Sequence, residues 1–197
     1  MYQVKSLNYK SLDNFLSERQ LSEHHDVLYV GYVNKLNEIE EKSGGADKSK
    51  ANATFSDFRS LKKEEVFAQN GILLHELYFE NLAQEGGADA NIPESVKELI
   101  AKDFGSLENW QADLVACAMS ARGWVVTAFN SQNGKLHNYI CDVHDVGGVW
   151  GAHPVLVLDM YEHAYFLDYG TKKKAYIDNF MKNVNWQVVD GRLKNLS

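Results

Sequence analysis

An α+β fold in two parts is what this chain of 197 residues predicts. Three observations point to it. Apolar residues recur at helical spacing through two long segments that end near Leu82. Past Gly86-Gly87 the pattern changes to short apolar runs that read as strands, the first two separated by the hairpin dipeptide Asn133-Gly134. Helical spacing then returns near the C-terminus. The boundary falls in Gly86-Gly87-Ala88-Asp89 through Pro93. It divides the chain into residues 1–87, an N-terminal α-hairpin domain, and residues 88–197, a C-terminal α+β domain with a three-stranded antiparallel sheet.

Taken in order, Leu21 to Glu41 reads as one long helix, apolar at Leu21, Leu28, Tyr32, Leu36 and Ile39. Its spacing sets His24, Leu28 and Tyr32 on one face. Ser43-Gly44-Gly45-Ala46-Asp47 breaks it. Ser60 to Leu82 reads as a second helix, in one piece or two around Gly71, with Gly71, His75, Phe79 and Leu82 on a common face. Two antiparallel helices joined by a linker follow. Pro93 to Ala101 and Leu107 to Met119 are helical, and Trp124–Asn130, Lys135–Asp142 and Pro154–Leu158 are the strands. A last helix covers Lys174 to Val184.

Composition narrows the function. Hydrophobic content of 45% and charged content of 24% are those of an ordinary soluble globular protein. No apolar run approaches the ~20 residues of a membrane span. The opening Met1-Tyr2-Gln3-Val4-Lys5-Ser6 lacks the layout of a secretory signal. Cys117 and Cys141 show neither metal spacing nor a disulfide framework and read as buried small apolar residues, which fits a reducing cytoplasm. A net charge of −7 argues against broad nucleic-acid binding. The one dense basic run, Lys172-Lys173-Lys174, reads either as a solvated helix start or as a local positive field for an anionic substrate.

The most informative stretch is Val157-Leu158-Asp159-Met160-Tyr161-Glu162-His163-Ala164-Tyr165. Asp159 sits where a buried strand stops, and a buried carboxylate is costly unless paired or bound to a cation. His163, four residues on across a turn, can reach the same cation. Alone, the spacing is common by accident and reads equally as an Asp-capped strand end with a surface His. Two upstream histidines change the weighing: His24 in Glu23-His24-His25-Asp26, and His75 in Leu73-Leu74-His75-Glu76.

Together these segments resemble the iron/manganese superoxide dismutase family. DMYEHAY matches its metal motif D-x-W-E-H-A-Y, with Tyr161 where Trp is usual, and Tyr32-Val33-Asn34-Lys35-Leu36-Asn37 matches Y-V-x-x-L-N. FGSLENW, Gly123-Trp124 and Val184-Asn185-Trp186 add further matches, from about Ser17 to Val189. The resemblance implies an α-hairpin packed on an α+β domain and the ligands His24, His75, Asp159 and His163. His25 is a rival for the first position, and the gapless alignment favours His24. Three imidazoles and a carboxylate suit iron, manganese or zinc, and the resemblance removes zinc. It implies one iron or manganese ion per chain and the disproportionation of superoxide anion to dioxygen and hydrogen peroxide. Val157, two residues before the ligand Asp, leans toward iron, with metal interchange allowed. His137 and His153 lack a matching motif and read as structural.

The resemblance also assigns supporting roles. Tyr32 matches the gateway Tyr of the substrate channel. His144 stands where one branch of the family has a His in place of the Gln that bonds metal-bound solvent; the alternative Gln position is Gly71. Leu28 and Phe166 replace a His and a Tyr of the outer proton relay. Leu74, Phe79 and Tyr161 alter the pocket wall, and Lys173 stands at the position of an Arg near the site's mouth. Glu162 matches the Glu that bonds the ligand His of the other subunit, implying a homodimer or higher assembly through Glu162 and His163. The expected protein is a cytoplasmic superoxide dismutase, free of nucleic acid and membrane. Its rivals are a non-catalytic metal-binding homologue and an iron-dependent oxygenase using a subset of the same ligands.

Overall fold

The computed structural model describes residues 1–83 and 91–196. The expected domain boundary at 87/88 lies outside the described residues. On either side the two-part α+β architecture is present: a helical hairpin, then helices and a three-stranded antiparallel sheet.

The first helix starts as α1, Glu18–Ser22, capped by Ser17, whose side chain accepts from Gln20 N. It continues through a π-helical stretch, Glu23–Tyr29, into α2, Val30–Gly45. The π-helical stretch corrects the expected face. Val30 N–H reaches back five residues to the His25 carbonyl, adding a residue to the turn. The buried stripe therefore steps from His24 to Tyr29, then Val33, Leu36 and Ile39, while Leu28 and Tyr32 are only half-buried. Glu41 does not end the helix, because Gly44 and Gly45 are accommodated in its last turn.

The second helix, α3, runs unbroken over Asp57–Glu80, straight through Gly71. Ser56 caps it by accepting from Arg59 N, a contact of ~0.5–2 kcal/mol. Helices α4, Glu94–Phe104, and α5, Leu107–Ser120, lead into the sheet. Its strands are β1, Trp124–Asn130; β2, Lys135–Cys141; and β3, Ala152–Asp159, in the order β2-β1-β3. Pro154 sits on edge strand β3, where a missing N–H costs no inner ladder bond, beside a bulge between Thr127 and Ala128.

The closing segment differs from expectation. A short helix α6, Phe166–Tyr169, precedes α7, Lys173–Lys182, and a further helix α8 covers Trp186–Lys194. Asn185 starts α8 by accepting from Val188 N, and Trp186 seats it edge-on against Trp110 at 5.7 Å. The break between α7 and α8 is Asn183-Val184-Asn185. It carries no Gly or Pro and is too short to register as a loop by composition.

Between β2 and β3 the chain crosses through residues 142–151, which carry His144. Gly147 turns it with φ +101°, and a Cβ there would stand 2.3 Å from the Ile140 carbonyl oxygen. Gly147→Ala is expected to destabilise the protein by at least ~1–3 kcal/mol, read as a lowered Tm in thermal unfolding; an unchanged Tm would contradict this packing.

Candidate metal centre

Four ligand-type side chains arrive from separate elements. His24 comes from the π-helical stretch, His75 from the middle of α3, Asp159 from the end of β3, and His163 from a short 3-10 turn, Glu162–Ala164. One atom from each lies within 4.8 Å of all the others. His24 Nε2, His163 Nε2 and His75 Nε2 stand 3.1, 3.4 and 3.8 Å from Asp159 Oδ2. His24, His75 and Asp159 are fully buried, while the His163 side chain is 28% exposed.

None of these four converging atoms has a hydrogen-bond partner. Buried polar atoms left bare cost free energy, and a cation at their centre removes that cost. The protonation pattern suits one. His75 Nδ1 donates to the Gly71 carbonyl at 2.6 Å, which leaves Nε2 a lone pair. Burial holds His24 below the usual imidazole range. Burial, then the neighbouring His24, brings His75 to about 3. Burial opposes ionisation of Asp159, but the close approach of His163 and His24 holds its carboxyl well below the ordinary range. The result is neutral His24 and His75 beside an ionised Asp159. The residues present therefore fit a divalent or trivalent ion of nitrogen–oxygen preference.

Asp159 is fixed from both sides. Its Oδ1 accepts from Tyr161 N at 2.9 Å, and its backbone carbonyl accepts from Tyr176 Oη at 2.9 Å. Tyr78 Oη lies 3.0 Å from Tyr176 Oη in the same buried layer. His25 is buried with both ring nitrogens engaged, by the Lys5 carbonyl and the Asp26 carboxylate, and it stands apart from the cluster.

Beside the ligands, His144 and Tyr32 meet. His144 Nε2 lies 2.8 Å from Tyr32 Oη, and Trp124 Nε1 donates to His144 Nδ1 at 2.9 Å. An indole N–H only donates, so His144 Nδ1 is the acceptor and the neutral ring carries its proton on Nε2, aimed at the tyrosine oxygen. Burial brings His144 down to about 4 and pushes the Tyr32 phenol up. Gly71 makes room for both rings: a Cβ there would stand 3.2 Å from Tyr32 Cδ1 and 3.3 Å from His144 Cδ2. Tyr161 lies flat on His163 at 5.1 Å and Phe79 edge-on to His24 at 5.0 Å, so the wall is aromatic. Leu74 is buried.

One expected position sits differently. Lys173 does not offer a free charge: its Nζ donates to the Ala121 and Met119 carbonyls at 2.8 and 3.3 Å, satisfying the end of α5. Lys174 pairs with Asp178 at the surface, and Lys172 and Lys174 are both exposed. Leu28 is half-buried and Phe166 is 47% exposed. His137 and His153 bond Asn133 and Ser131 away from the cluster. The sequence reading missed the orienting role of Trp124, which no spacing announces because its partner is twenty residues away across the sheet edge.

Comparison with known proteins adds to this geometry. Residues 1–83 match the model for iron/manganese superoxide dismutases, alpha-hairpin domain, and residues 92–192 match the model for their C-terminal domain. The iron superoxide dismutase of Aquifex aeolicus is 42% identical over 182 residues, covering 91% of this chain and 84% of the relative. An iron enzyme of that name from Cupriavidus metallidurans is 39% identical, with 87% and 85% covered. A manganese superoxide dismutase of Haloferax volcanii is 35% identical, with 90% and 87% covered.

Proposed function

The chain belongs to the iron/manganese superoxide dismutase family, and from that premise we propose that it disproportionates superoxide at one iron or manganese ion held by His24, His75, Asp159 and His163. The observation that carries this is the convergence of four bare, buried ligand atoms within 4.8 Å. Held by His24, His75, Asp159 and His163, an iron or manganese ion would supply the one-electron redox chemistry that converts two superoxide anions and two protons into dioxygen and hydrogen peroxide. Everything else falls to the chain. The aromatic rings of Phe79, Tyr161 and Trp124 wall the site. Trp124 holds the His144 proton on Nε2, and His144 donates it to Tyr32 Oη. The Tyr32 hydroxyl hydrogen is thereby left free to face the anion. With its phenol pushed up by burial, Tyr32 stays protonated at neutral pH and serves as a donor.

Tyr32 and His144 bonded together beside the ligands favour the enzyme over a non-catalytic metal-binding homologue, for which no such pair is needed. Expression with iron and with manganese separately, followed by metal analysis and an activity assay on each form, tests the reading. About one ion per chain and activity in at least one form are expected; loaded but inactive protein in both would favour the homologue. The fully buried Val157, two residues before Asp159, supports a lean to iron with interchange allowed.

A homodimer in the cytoplasm completes the reading. Glu162, Phe166 and Leu167 are exposed within five residues of the partly exposed ring of His163 along the chain. Among the described residues no helix is long and apolar enough to cross a membrane. Glu162→Ala is expected to weaken dimerisation and metal retention together, since one carboxylate would serve both. Sedimentation showing an unaltered dimer with unaltered metal content would remove the cross-subunit bridge.

A further inference from the structure

His163 differs from the other three ligands in how it is held. His75 is anchored through its ring by the Gly71 carbonyl, Asp159 by Tyr161 N and Tyr176, and His24 by full burial in a long helix. His163 rides on a three-residue 3-10 turn and is the most exposed of the set. Among the described residues, none is hydrogen-bonded to its Nε2. A single turn of 3-10 helix is a weak support, so something else must hold its backbone in place.

Gln20 does so. It is fully buried, with a relative exposure of 0%. Its Nε2 donates to the His163 carbonyl at 2.5 Å, and its Oε1 accepts from Leu167 N at 3.1 Å. Both ends of the carboxamide are used, on backbone groups on either side of Ala164-Tyr165-Phe166. Gln20 lies in α1, about one turn before His24 on the continuous helix. One amide thus ties the turn bearing one ligand to the helix bearing another, across 143 residues of chain. A buried Gln is stable only when its groups are paired, and these are paired to the two backbone atoms that set where His163 stands.

We propose that Gln20 is the positioning residue for His163, fixing its distance from His24 and so the tightness of the metal site; this rests on the metal-site reading above. Gln20 touches neither metal nor substrate, and it acts through the His163 backbone. Gln20→Glu keeps an acceptor for Leu167 N but sets a carboxylate oxygen against the His163 carbonyl. Gln20→Leu removes both bonds. Gln20→Asn keeps the amide but is one methylene too short to reach both groups, and it is the mildest of the three.

The experiment loads wild type and the three variants with manganese or iron. It measures the rate of metal release to excess chelator, the visible absorption band of the +3 ion, and the Tm of the metal-free proteins. Outer hydrogen bonds to metal ligands typically carry ~10–100-fold in affinity. Release ~10-fold faster or more with a displaced band is expected in Gln20→Glu and Gln20→Leu, and a smaller change in the same direction in Gln20→Asn. If every folded variant lowers only the Tm of the metal-free protein, with release and band as in wild type, Gln20 is a packing residue and the proposal fails. A wild type that retains neither metal would overturn the site reading and this proposal together, whereas a wild type that retains metal beside unchanged variants overturns this proposal alone.

Discussion

Asp159→Ala is expected to leave a folded protein that retains almost no iron or manganese. Asp159 is the anionic member of the ligand set, and all three imidazoles face its Oδ2. Removing it leaves a neutral cage with three converging lone pairs and no charge to balance the ion. His163→Ala removes one nitrogen and opens the exposed side of the site, so metal loss is expected there too, with His24, His75 and Asp159 still in place. Activity should fall with the metal in both. Elemental analysis of purified protein decides: full metal content in both variants would mean that the ion sits elsewhere.

His144→Ala is expected to keep the metal and lose most of the activity, by ~10–100-fold. The imidazole touches no ligand atom of the cluster through a hydrogen bond; its two nitrogens meet Trp124 and Tyr32. Deleting it leaves the fully buried Trp124 without an acceptor for its N–H, at ~1–3 kcal/mol, and frees the Tyr32 hydroxyl from the proton that orients it. His144→Gln is the informative companion, since an amide can accept from Trp124 and donate to Tyr32 at once. It should recover stability and part of the rate. Were His144→Ala to show the wild-type rate and the wild-type spectrum of the bound metal, the residue would be no more than a filler above Gly71.

Much of the fold is legible in the sequence, and the limits are physical. Strand periodicity and Asn133-Gly134 locate the hairpin, because turn chemistry and alternation are local. The α8 helix escapes because its start signal, Asn185 followed by Trp186, lies in a segment without Gly or Pro. The face of the first helix is drawn at 3.6 residues per turn, whereas the π-helical stretch shifts Tyr29 into the buried stripe. No residue type encodes that shift; it arises where the helix must present His24 to ligands from other elements.

The identities of the ligands, their order and their flanking motifs were properties of the sequence alone, because residue type decides which atoms can bind a metal. The same holds for the absence of ionisable groups at Leu28 and Phe166. Only the tertiary structure could bring His24, His75, Asp159 and His163 within 4.8 Å and leave their ligand atoms bare. It alone engaged the Lys173 amine with the end of α5, set the His144 proton by way of Trp124, and placed Gln20 on the His163 carbonyl. The reason is the same in each case: a hydrogen bond between residues far apart in the chain depends on distance and direction in space, and neither is written in spacing along the sequence.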